Sequence, residues 1–512
     1  MNFNKLKLWS VGAAAVAIMS TGCNKLSDFG DTNVNPNGST YISTSTLIST
    51  TQVRLGNSNF GTVTTTGTPS AELLSGLMAQ YFAEPTYPGA SRFAGTSLQV
   101  NYNGAYQGPL NDLQTVILRN TDPVQAVDAA RFGSNAGQIA MARIMKVFIF
   151  WQLTDKWGDI PYSEALKGAA NLTPKYDSQE SIYKDMLKEL GEAVDQFDGT
   201  NSVQGDLIYA GNETKWKKFA NSMRAVMALR MSKVYPGPAD LAAVEFNKAL
   251  TSSVTNGGML ISNDDNFQMY YPANANPFTN PFYAPANSND NGVSKTFTDL
   301  LTGLSDTRQS AWVQNTNGVP YGLANPVPAG TWAKILAPQF KTQVGTMVLF
   351  NAASVLLAHA EAAERGWIPG GSAQAKLYYD AGVTASFNQW GLASVPGAYL
   401  TTGPANFDTG AGLASIGGAS VPGSNALTPT ALKRIQLQQY LAFYPIGWQA
   451  WSNWRRTGVP DLKPSTDAFD PAIPRRLTYG TIEYQLNAAQ VGQAGANMGG
   501  DDQNSRVWWD KP

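Results

Sequence analysis

Asn135 to Trp157 reads NAGQIAMARIMKVFIFWQLTDKW, and its spacing decides the fold class. Apolar side chains fall at Ile139, Ile144, Val147, Phe148 and Trp151, mostly three or four residues apart, which gathers them on one face of a helix. The same period recurs downstream. Ile182, Met186, Leu190 and Val194 form a four-spaced stripe ending near Phe197, behind Asp177-Ser178-Gln179-Glu180, which reads as a capping box. Trp216, Phe219, Met223, Val226, Met227, Arg230 and Val234 mark another long helix, and Pro236 stops it. Met347 to Arg365 is helical in pattern and closes at Gly366 as a C-cap. Further helices are expected from Ala373 to Trp390 and from Pro429 towards Trp454. They come in pairs, without a clean repeat of about 34 residues. The expected fold is mainly α, with degenerate tetratricopeptide-like helix pairs.

Between the helices lie stretches rich in Gly, Pro, Asn, Thr and aromatics, at Thr86–Gly108, Val254–Ser294, Gln314–Pro338 and Val395–Thr428. Loops this long are uncommon unless they carry function, and a few short strands fit inside them.

Composition narrows the function. The 512 residues are 43% hydrophobic, enough for a large core. Only 14% are charged and the net charge is −1, so nothing favours nucleic acid, whose binding rests on neutralising phosphates. Asn, Thr, Ser, Gly and Gln beside 13 Trp and 21 Tyr suit neutral polar ligands such as sugars, and equally suit any extracellular protein with long loops. Cys23 is the single cysteine, so there is no disulfide framework, no Cys-ligated zinc and no other thiol nucleophile. The single histidine, His359, lies in a helical run and reads as a packed or surface helix residue. Triads and HExxH sites would have to be built around that one ring. A glycan-active hydrolase needs two carboxylates flanking the scissile bond. The spacing of Glu361, Glu364, Asp155 and Asp159 selects no such pair, and the first two read as one solvated helix face. Asp264-Asp265 and Asp501-Asp502 could sit near a calcium ion, but without EF-hand spacing they read as solvated turns. No cofactor and no catalytic residue is expected.

The N-terminus carries Lys5 and Lys7, an apolar run from Leu8 to Met19, then Ser20-Thr21-Gly22 before Cys23. This is the layout of a secretory signal, too short for the roughly 20 residues of a membrane span. A cysteine behind small residues looks like a bacterial lipobox, although Ser20 stands where Leu is usual. Residues 1–22 are read as a lipoprotein signal peptide, Cys23 as a lipidated mature N-terminus, 23–41 as a polar tether and 42–512 as one domain. Several acyl chains on one residue anchor stably, where a single chain does not.

Several segments together resemble the SusD/RagB-type outer-membrane lipoproteins of Bacteroidetes. Asp31-Thr32-Asn33 through Pro36-Asn37 follows the lipobox, and Trp157-Gly158-Asp159-Ile160-Pro161-Tyr162-Ser163-Glu164-Ala165 follows a long helix. Lys215 to Arg224, Ala360 to Trp367, Gly447 to Gly458, Pro474 to Leu477 and Asn504 to Trp509 complete the set in order. The resemblance implies a right-handed superhelix of tetratricopeptide-like pairs. It also implies a lipid-anchored protein on the cell exterior that caps a SusC-like TonB-dependent transporter and hands it a glycan or, in some relatives, a peptide. It implies that Trp448, Trp451 and Trp454 belong to a packed helix followed by buried arginines. Because sugar rings stack on flat aromatic faces, the loop rings Tyr87, Phe93, Tyr270, Tyr271, Phe282, Tyr283, Trp312 and Trp332 are the candidate platform. Arg92, Asn101 and Asn289 are the candidate polar partners.

Overall fold

Ser134 opens the long helix where its pattern begins, its Oγ accepting the Gly137 amide at 3.1 Å. The computed structural model describes residues 42–56, 71–98, 100–273, 279–325, 331–392, 394–409 and 430–511. Within them helix α1 (Asn111–Thr121) packs on α2 (Asn135–Trp157), α2 on α3 (Gln179–Gln196), α3 on α4 (Glu213–Arg230) and α4 on α5 (Leu241–Thr255). Helix α6 (Ala352–Glu364) packs on α4, on α7 (Gly371–Gln389) and on α8 (Ala431–Ala442). Helix α9 (Gly447–Thr457) lies against α8 and against the helix Ala71–Met78. A Cβ on Gly447 would collide with the backbone of Gly76, so only glycine allows that close crossing. The mainly α expectation holds, with helices consecutive in the chain packed on one another.

Three two-stranded ribbons are set among the helices of the described residues: β1 (Phe82–Ala83) with β5 (Gly292–Val293), β2 (Ile160–Pro161) with β3 (Tyr176–Asp177), and β4 (Phe267–Tyr271) with β6 (Gly345–Phe350). All pair antiparallel. The chain divides after Ser43, and Thr44–Pro512 forms one unit. The signal-peptide, tether and Cys23 readings lie outside the described residues. No helix of the described residues is long and apolar enough to cross a membrane.

Four local readings are corrected. Met347 to Phe350 is strand, and the helix starts only after Asn351, whose side chain accepts the Ser354 amide at 2.8 Å. Ser178, not Asp177, caps α3; the Asp177 carboxylate instead accepts from the Ser163 amide at 2.7 Å. The stretch towards Trp454 is two helices, with Pro445, which has no amide hydrogen to offer a helix, in the break between α8 and α9. Glu361 is not solvated but fully buried. Arg456 grips it through Nη1 at 2.6 Å and Nη2 at 2.7 Å, Arg365 adds Nε at 2.9 Å, and Gln439 adds Nε2 at 2.9 Å. Burial pushes this carboxyl's pKa up, but the Arg456 and Arg365 guanidiniums outweigh it and hold it well below the usual range.

Around that ion cluster α9 buries Trp448, Trp451 and Trp454. Trp451 donates Nε1–H to the Pro474 carbonyl at 2.9 Å, and the Arg455 guanidinium lies 3.9 Å over its ring. Trp509 is buried too, donating to Asp155 at 2.9 Å. His359 is buried in α6, its Nδ1–H donating to the Val355 carbonyl at 2.7 Å.

Candidate functional site

The C-terminal end of α7, the β4–β6 ribbon and the segment from Asn280 to Phe282 surround a cleft of about 420 Å³. The ribbon's register sets one face of it. Gln268 stands opposite Val348 and Tyr270 opposite Thr346, so these four side chains share one face of the ribbon. Tyr271, one residue on, points the other way and is buried. Helix α7 delivers Asn388 and Gln389, with Trp390 directly after them. Trp390 meets Phe340 edge to face at 5.1 Å and backs onto Trp312 at 6.2 Å. Leu336, Met347 and Pro445 add aliphatic surface.

The lining amides fall into two groups. Asn266 accepts the Ala352 amide at 2.8 Å and donates to Asn263 at 3.4 Å, while Asn263 donates to the Ala385 carbonyl at 2.9 Å. Those two hold the α6 and α7 ends in place. Asn280 accepts the Phe282 amide at 3.0 Å through Oδ1, which leaves its Nδ2 free. The carboxamides of Gln268, Asn388 and Gln389 make no hydrogen bond to any described residue. Among the described residues no acidic, basic or histidine side chain lines the cleft. It therefore presents hydrogen-bond donors, acceptors and an indole, and nothing that could act as an acid, a base or a counter-ion.

The candidate residues from the sequence are scattered relative to this cleft. Phe282 lines it, and Tyr270, 56% exposed, stands on the ribbon face that bounds it. Tyr283 begins the short helix next to Phe282 and is half-buried. Tyr87, Asn289 and Trp332 lie on a neighbouring set of loops: Thr86 donates to the Asn289 carbonyl at 3.3 Å, and Lys334 reaches the Asn289 side chain at 2.9 Å. Tyr87 is exposed there and Trp332 half-buried. Arg92 lies 4.0 Å under exposed Phe469 and donates to the Asp467 carbonyl at 2.8 Å. Asn101 accepts the Asn103 amide at 2.8 Å in its own turn.

Four rings expected at the surface are buried, Phe282 among them although it lines the cleft. Trp312 packs between Phe297 at 5.9 Å and Tyr444 at 5.1 Å, Phe93 sits against Tyr321 at 6.2 Å, and Tyr271 faces the core. Loop position does not expose a ring when the loop itself needs an anchor. Asp501 and Asp502 are also occupied: Asp501 accepts from Arg476 at 2.6 Å and Asp502 from the Ser505 side chain at 2.6 Å. Asp265 pairs with Lys218 at 2.7 Å. Among the described residues no group of three His, Cys, Asp or Glu could hold a metal ion. The missed residues, Asn388-Gln389-Trp390, did leave a signal: two amides and an indole, directly before Gly391, at the end of a recognisable helix.

A protein-family model described as starch-binding and associating with the outer membrane matches residues 36–480. This chain belongs to the SusD-like family. Among solved structures, a chitin-binding protein is 26% identical with a TM-score of 0.72, covering 92% of this chain and 100% of that one. A chitin-binding SusD homologue from Flavobacterium johnsoniae is likewise 26% identical, with a TM-score of 0.68 and coverage of 90% and 98%. A SusD homologue from Bacteroides vulgatus ATCC 8482, 24% identical over 90% of this chain and 97% of that one, shares the fold at a TM-score of 0.72. No curated protein matches the chain.

Proposed function

We propose that this SusD-like chain is a lipid-anchored glycan-binding protein of the outer-membrane surface, tethered through Cys23. It captures a neutral oligo- or polysaccharide in the cleft and passes it to a TonB-dependent transporter, without hydrolysis and without a cofactor. One observation carries the reading: the cleft is lined by uncommitted carboxamides and an indole, with no ionisable side chain. Its volume of about 420 Å³ falls inside the range of about 300–1,000 Å³ common to small-molecule sites. A sugar's C–H face on Trp390 would hide about 80–100 Å², worth roughly 2 kcal/mol before entropy costs. The free amides then serve its hydroxyls as donors and acceptors. Cleavage of the glycosidic bond would need a positioned carboxyl pair, which the lining does not supply. The anchor and the transporter partner are supported by the N-terminal pattern and by family membership.

Calorimetry of the purified, tag-free protein tests this with chito-, malto- and cello-oligosaccharides against an anionic polygalacturonate. At least one neutral oligosaccharide should bind and be recovered intact, and the polyanion should not bind. Binding of the polyanion alone, or shortening of a bound oligosaccharide, would overturn the reading.

A further inference from the structure

Gln389 lines the cleft and also a second, much smaller void behind it, bounded by Asn351, Ser354, Tyr444 and Gln449. That void offers about 10 Å³, the room of a single water molecule, which needs two to four polar partners to settle there. Asn351 is engaged with Ala442 and Ser354, Ser354 with Asn351, and Tyr444 with the Trp312 carbonyl. Two groups on the wall are shielded from solvent and unpartnered: the acceptor Oε1 of Gln389 and the donor Nε2 of Gln449. Gln449 is 1% exposed, and its orientation is fixed from behind, because its Oε1 accepts from Arg230 Nη2 at 2.7 Å and a guanidinium can only donate. A water in the void would accept from Gln449 and donate to Gln389, completing both. A buried acceptor left unmatched is costly, so this bridge ties Gln389 Oε1 inward. Its Nε2, which is neither bonded nor buried, is then the end turned to the cleft. Asn280 is fixed in the same sense, with Oδ1 bound to the Phe282 amide and Nδ2 free.

We infer that Gln389 is a specificity-determining residue that donates to a carbonyl oxygen of the ligand, and that the ligand is a glycan bearing acetamido groups. Gln449 acts through it as a positioning residue. The inference rests on the glycan reading above and names its substrate class. A carbonyl oxygen is a stronger acceptor than a hydroxyl and carries no proton to turn aside from a fixed donor. The acetamido methyl finds aliphatic contacts in Leu336, Met347 and Val348, for which a plain glucan has no matching group.

N-acetylated chitotriose and cellotriose share one backbone and differ only in those acetamido groups. Calorimetry should show the acetylated trimer binding about ten-fold tighter, the weight of an added hydrogen bond and a buried methyl. Gln389→Leu, which keeps the side chain's bulk, should shrink that preference to under about three-fold, because the acetylated trimer loses more from it than cellotriose does. Gln449→Met, which changes nothing on the cleft wall, should lower the preference in the same direction. Its melting curve is read alongside, and if it does not fold, Gln389→Leu decides alone. Equal binding of both trimers by the wild type would overturn the inference and leave the glycan reading standing. Failure of chito-, malto- and cello-oligosaccharides alike to bind would overturn both. A full preference surviving in Gln389→Leu would overturn the role given to Gln389.

Discussion

Around α9 and at the end of α7 the molecule sets tryptophans among polar side chains, and the two regions differ in how those polar groups are partnered. Beside Trp448, Trp451 and Trp454 the groups are charged, buried and bound to one another, with Glu361 held by Arg456 and Arg365. Beside Trp390 they are neutral, more open to solvent and largely unbound. Both places combine indoles with polar side chains, and only the first adds charge. What separates a packing core from a binding surface is how far its charges and hydrogen-bonding groups are already matched inside the chain.

The largest effect should come from breaking a match. Glu361→Ala leaves the Arg456 guanidinium buried without its counter-charge and should cost about 3–5 kcal/mol of stability in chemical denaturation. Trp451→Ala should cost a similar amount, about 3–5 kcal/mol, through the cavity it leaves. In either variant the fraction still folded should bind ligand normally. Loss of ligand binding without loss of stability would show that the two regions have been assigned the wrong way round. A middle effect is expected from Trp390→Ala. It should weaken oligosaccharide binding by about ten-fold, the loss of one stacked ring face, and cost less stability than Trp451→Ala, because the half-buried ring gives up only its contacts with Phe340, Trp312 and Tyr444.

The smallest effect expected is none at all. Binding should be flat from about pH 5 to about pH 9, since no lining group titrates. Stability should not be flat. The Glu361 carboxyl is depressed in the folded chain, whereas the unfolded chain takes up that proton near its ordinary value of about 4.3. The unfolded state therefore binds more protons below that pH, and stability falls as acid is added. His359, lowered by burial, acts in the same direction as pH drops through about 6.5. Glu72 and Glu84, raised by burial, act in the opposite direction. The clean comparison is therefore wild type against Glu361→Gln, which should lose the steepest part of the acid decline.

Much of the helical frame was legible because the long helices repeat a local apolar period, as Asn135–Trp157, Gln179–Gln196 and Glu213–Arg230 show. Where the pattern lacked a period, as in Met347 to Phe350, apolar content alone was mistaken for helix. The ion cluster was illegible because its members are far apart in sequence: Glu361 sits on α6 and Arg456 on α9, and only the fold brings them to 2.6 Å. The cleft was harder still. Asn263, Gln268, Asn280, Leu336, Val348, Gln389 and Pro445 come from separate segments, and none is distinctive alone. Aromatic content pointed alike to Tyr270 and Phe282, which the fold sets at the cleft, and to Trp312, which it buries, because a ring's exposure depends on what the tertiary fold lays over it.

Helix α7 ends at the cleft, and it does so with no basic residue in its last turn. The aligned peptide dipoles of a helix concentrate about half a negative charge at its C-terminal end. A cleft without one ionisable side chain is therefore not electrically blank: the backbone itself colours its mouth negative. Uronic acids, sulfated sugars and sialylated chains would approach against that field, while neutral sugars presenting hydroxyl or amide protons would approach along it. At the proposed glycan site, the direction in which this one helix enters would disfavour anionic polysaccharides before any side chain touches them.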